Sequence, residues 1–242
     1  MSKNIILPPD NCTNNILEYF QRYNLKPYVC LHPFIKLPNW VNYSDYYVDH
    51  YDNGAVGLIM KKLFLYRKDI ANQISWEDVI SEMGFSSISY LNEVLLSDAE
   101  EISRSDRFDF NKLKIDAERL SSWLESQNIL SPFGSVIPIE YESSILKSML
   151  EEGYETALFS DEFGSDITTI ILKPYLFSLE NNLENFDVNF RSICTHDLKI
   201  TYTVLSDTFF TVLAAEENML NNIISRHKFD GIYPTRKMTY ML

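Results

Sequence analysis

Glycine is scarce, with seven in 242 residues, and none stands in a pattern that could cradle phosphate. The chain holds no GxGxxG, no P-loop, no GxSxG elbow and no HExxH, so it lacks the common devices for nucleotide binding, serine hydrolysis and zinc proteolysis. Cysteine is nearly as rare. Cys12, Cys30 and Cys194 are far apart, odd in number and without a CxxC pair, which argues against a disulfide framework and a zinc knuckle and for reduced thiols. No apolar run approaches the roughly 18 residues of a membrane span. The opening MSKNIILPPDN has too short an apolar core for a signal peptide, so the expectation is a soluble, cytoplasmic protein.

Basic residues are also in deficit, with 21 Lys and Arg against 34 Asp and Glu, a formal charge of -13. Such a surface repels nucleic acid and anionic membranes and attracts basic proteins. The excess is concentrated. Between residues 140 and 166 eight carboxylates, among them Glu151, Glu152 and Glu155, face the single Lys147.

Hydrophobic residues make up 45% of the chain and aromatics 14%, ample for a buried core. Repeats and Gly/Ser linkers are absent, so one unit with two lobes is expected. The run KPYVCLHPFIKLP suits a strand in which Pro33 marks an edge or a bulge, and His32 within it reads as a satisfied core residue. From Ser75 to about Asn128 the period is helical. Ser75 caps WEDVISEM, and Asp109 caps a helix whose stripe is Leu113, Ala117, Leu120 and Leu124, with Trp123 beside it.

A further helix over about 140 to 152 stops at Gly153. Then come five short segments rich in β-branched and aromatic residues, YETALFS, ITTIIL, VNFRSICT, LKITYTVL and TFFTVLA. The last two are joined through LSD and should pair antiparallel. A final helix over about 215 to 227 carries Glu216 and Glu217 at its start and Arg226, His227 and Lys228 at its end, the charge order its dipole favours. The two glutamates therefore read as a cap. The fold expected is α+β: a helical N-terminal lobe, residues 1–135 with a short strand, packed with a C-terminal antiparallel sheet and flanking helices, residues 136–242.

Two patterns bear on chemistry. In CTHDL, Cys194 and His196 share a face if the strand continues, and with Asp197 they are weak catalytic candidates; Asp161 or Glu162 could join them on zinc. In YSDYYVDHYD, Tyr46, Tyr47, Asp49 and His50 combine amphipathic rings with acid, a composition suited to a basic protein partner or a cationic ligand. No resident metal or cofactor is expected.

The order of landmarks carries a family resemblance. LHPFIKLP at 31–38, WEDV at 76–79, GYE at 153–155, DEF at 161–163, THD at 195–197, DTFF at 207–210 and KFDGIY at 228–233 resemble domain of unknown function 2711, an uncharacterised family of Bacillus-type bacteria. The chain departs from that pattern near 43–70 and after Tyr233. The resemblance implies a bacterial, intracellular, full-length single unit and transfers no activity, cofactor or catalytic residue. Two functional readings follow from the residues. One is a non-catalytic binding protein of acidic surface, immunity-type or antitoxin-like; the alternative is a small hydrolase or metal-dependent enzyme centred on His196.

Overall fold

A computed structural model of the chain describes residues 16–40, 72–98, 109–132, 134, 137–160, 167–181, 192–204 and 208–234. In chain order these form α1 (Ile16–Gln21), β1 (Lys26–Leu31), β2 (Phe34–Lys36), β3 (Gln73–Ile74), α2 (Trp76–Met83), α3 (Ile88–Asp98) and α4 (Phe110–Gln127). There follow β4 (Ile129–Leu130), α5 (Ile139–Glu151), β5 (Thr156–Ser160), β6 (Ile167–Ile171) and α6 (Leu172–Asn181). The chain continues with β7 (Ser192–Cys194), β8 (Ile200–Val204), β9 (Phe210–Ala215), α7 (Glu217–His227) and β10 (Gly231–Ile232). The fold is α+β. The described residues form two compact units, one within 16–32 and 134–234, the other within 33–132.

The first unit is built on a seven-stranded sheet of order β10-β1-β9-β8-β7-β5-β6, in which every neighbouring pair is antiparallel. The β8–β9 pairing expected from sequence is present, with Tyr202 opposite Leu213; the connecting residues 205–207 lie outside those described. Strand alternation puts Tyr28, Leu213, Tyr202, Ile193 and Phe159 on one face. On that face Tyr141 of α5 donates to the Leu31 carbonyl, Ser148 and Tyr202 share a hydrogen bond of 2.8 Å, and the Tyr175 ring of α6 meets Phe159 edge-on at 5.5 Å. Ile145, Leu146 and Met149 of α5 are fully buried, each such side chain contributing about 1.5–3 kcal/mol.

Gly153, at φ 88, closes α5 as expected. Its N–H reaches the Leu150 carbonyl and that of Tyr154 reaches Met149, a Schellman stop that needs a left-handed residue at this position. Residues after β6 do not extend the strand as ITTIIL suggests: Leu172 opens α6. Pro174 is tolerated there because first-turn N–H groups need no intrahelical acceptor.

The second unit is mainly helical. Ser75 Oγ accepts from Asp78 N at 3.1 Å and Asp109 Oδ1 from Asn111 N at 2.9 Å, so both caps expected from sequence are made, each worth about 1 kcal/mol. Leu113, Ala117, Leu120 and Leu124 are buried, whereas Trp123, expected in the core, is half-buried. Buried Asp116 accepts from Tyr90 Oη at 2.6 Å and pairs with Arg119 at 3.1 Å. A three-stranded sheet, β3-β2-β4, completes the unit. The run 27–38 therefore supplies two strands in two sheets. Pro33, with no N–H for a ladder, stands at the break.

Candidate functional site

The acidic end of α5 and the basic end of α7 meet. Glu151 and Glu152 stand at a helix C-terminus, where the dipole disfavours negative charge, and Arg226 from the last turn of α7 answers both. Its Nη1 is 3.0 Å from Glu151 Oε2 and its Nη2 2.6 Å from Glu152 Oε1. The hydrogen bonds that Arg226 donates to Glu152 and Glu151 raise its pKa further. His227 adds Nε2 at 3.2 Å from Glu151 Oε2. Burial lowers the His227 pKa, against the pull of Glu151 and with the push of Arg226 and Lys147.

Glu155, the third acidic candidate of this segment, is exposed, and no described side chain pairs with it. Tyr46, Tyr47, Asp49 and His50 lie outside the described residues, as do Asp161 and Glu162. The sequence marks Arg226 only as a favourable charge at the end of its own helix. The pair of glutamates ending one helix and the basic pair ending another are visible in the sequence, but their meeting depends on the packing of two helices some 75 residues apart.

The CTHDL residues separate at the end of β7. Cys194 is the last residue of that strand and fully buried, with its thiol pushed up to about 12 by desolvation, so it is protonated at neutral pH and holds no thiolate nucleophile. His196 is half-buried in the turn that follows, where strand alternation no longer fixes its direction. Asp197 is committed to that turn. It accepts from Thr195 Oγ1 at 2.8 Å, from Lys199 N at 3.2 Å and from Tyr154 Oη at 3.0 Å. Burial pushes its pKa up, but these bonds and the Lys199 ammonium outweigh it and leave the carboxyl below its ordinary value. Thr195 N reaches the Ile200 carbonyl and Ile200 N reaches Thr195 Oγ1, so these groups hold the β7–β8 hairpin. Among the described residues no three His, Cys, Asp or Glu side chains are grouped to hold a metal ion.

His32 is fully buried and satisfied, as expected. Its Nε2 is 2.9 Å from Thr211 Oγ1, its N–H donates to the Phe209 carbonyl, and its ring meets Tyr141 edge-on at 6.2 Å. Glu216 occupies the N-cap position of α7, but its side chain makes no capping hydrogen bond; its carbonyl accepts from Leu220 N. Glu217 pairs instead with Lys26 of β1. Both glutamates border an open groove of about 460 Å³ that Asn24 and Lys26 also line, and His196 is not on its wall. Among the described residues no helix is long and apolar enough to cross a membrane.

No curated protein and no solved structure matches the chain. A family model does, and it runs through both stretches where the landmark pattern weakens. It matches residues 13–241 and is described as a protein of unknown function (DUF2711), the family to which this chain belongs.

Proposed function

We propose that the chain is a non-catalytic, cytoplasmic binding protein that covers a basic protein partner with acidic surface, in the manner of an immunity protein or antitoxin. The observation that carries this reading is the concentration of eight carboxylates against one lysine between residues 140 and 166, of which Glu142 is buried against Tyr175, Glu155 is exposed and Glu151 is still 43% exposed beside Arg226. A field of one sign steers an oppositely charged partner and raises its encounter rate. The same field disfavours nucleic acid and anionic membrane. The reduced, buried Cys30 and Cys194 suit the cytoplasm, and the buried thiol of Cys194 weighs against a hydrolase that would use it with His196.

Affinity capture from a lysate of the source cell, at low and at high salt and read by mass spectrometry, tests this reading. A basic protein retained at low salt and lost at high salt supports it. Retention of neutral or acidic proteins alone, indifferent to salt, would count against it.

A further inference from the structure

Four buried hydroxyls on one face of the large sheet have no hydrogen-bond partner: Ser160, Ser192, Thr201 and Thr203, each no more than 1% exposed. Their placement is ordered. Ser160 of β5 stands opposite Ser192 of β7, and Ser192 opposite Thr203 of β8, so three hydroxyls form a row across adjacent strands. Thr201 lies two residues from Thr203, on the same face. Other buried hydroxyls of this unit, Ser143 apart, are satisfied by protein: Thr211 by His32, Ser148 by Tyr202 and Thr195 by Asp197.

A buried hydroxyl left unpaired costs about 1–3 kcal/mol, and such groups are rare. Side chains directly opposite on neighbouring strands are about 4.5–5.5 Å apart at Cβ, so their oxygens can stand too far apart to bond each other. A water about 2.8 Å from each spans that gap. The flanks of the row decide its ligand class. Ser160 stands opposite Ile167 and Thr203 opposite Val212, and Cys194, opposite Thr201, carries a neutral thiol, so none of these neighbours supplies a counter-charge. These strands offer an ion there no counter-charge. An uncharged molecule that both donates and accepts fits.

We propose that the Ser160–Ser192–Thr203 row is an internal hydration site that binds ordered water between β5, β7 and β8. The test is the sign of a stability change. Val has the shape of Thr without its hydroxyl. If water satisfies the row, Thr203→Val loses hydrogen bonds and the folding equilibrium constant of the full chain falls roughly three- to tenfold. Oxygen-17 relaxation dispersion should at the same time show fewer long-lived waters than the parent. Ser192→Ala, a smaller change in the middle of the row, should shift both readings the same way. A dry row gives the opposite sign, because removing an unsatisfied hydroxyl stabilises. A Thr203→Val protein at least as stable as the parent, or an unchanged count of long-lived waters in both variants, overturns the proposal.

Discussion

His227 places its Nε2 3.2 Å from Glu151 Oε2 while only 9% of its side chain is exposed. Desolvation wins over the carboxylate, and the folded-state pKa lies below the ordinary 6.5. The unfolded chain then binds the proton more readily than the folded one. Stability from this group is complete above about pH 6.5 and is lost as the pH falls through the folded pKa. Urea unfolding from about pH 8 to about pH 5 should show a decline that is shallower in His227→Gln. Parallel curves for the two proteins would show that Glu151 compensates the burial in full.

The α4 stripe makes a packing prediction. Leu120 is 2% exposed, so Leu120→Ala should destabilise by about 2–5 kcal/mol. A loss below about 0.5 kcal/mol in urea unfolding would contradict the packing of α4. Trp123, half-buried, should cost less than a fully buried aromatic when truncated.

Gly231 is required for a different reason. A Cβ there would meet the Val29 carbonyl oxygen at 2.0 Å, because β10 lies directly against β1, with Gly231 opposite Cys30. Gly231→Ala should push β10 away and destabilise by about 1–3 kcal/mol. Amide exchange at Val29, Gly231 and Ile232 should accelerate first, and protection equal to the parent would contradict the contact.

The thiols give a chemical check. Cys30 and Cys194 are both buried, with pKa values raised by desolvation. In a Cys12→Ser protein, a disulfide reagent at pH 8 should react with neither until the chain unfolds. Rapid reaction of one thiol in the folded protein would restore Cys194 as a nucleophile candidate.

Local chemistry was legible where the cause is local. Ser75, Asp109 and Gly153 mark their helix ends through side-chain oxygen or a left-handed backbone, and the five strand segments declare themselves by β-branched and aromatic content. Longer-range pairing was not. β1 lies between β9 and β10, some 180 residues away in sequence, and nothing in KPYVCL names that partner. Helix α6 does not declare itself locally, because its start continues the apolar run ITTIIL. At the candidate site the acidity of α5 was visible from composition, but its partial neutralisation by Arg226 was not, since two helix ends must first be packed together. Glu217 stands in the first turn of α7, as its charge suggests, but its ion pair with Lys26 was not legible, since Lys26 lies far away in sequence.

A charge-steered encounter with a basic protein is tested most directly by its association rate. With the captured partner on a surface-plasmon chip, the on-rate should fall about tenfold or more between roughly 50 and 500 mM salt. Glu151, Glu152 and Glu155 replaced together by Gln should slow association while the fold persists, since exposed pairs contribute about 0–1 kcal/mol. Glu155→Gln alone should slow it more than Glu152→Gln, because Arg226 already neutralises Glu152. An on-rate indifferent both to salt and to the Gln substitutions would contradict the account and leave the charge of -13 as a determinant of solubility.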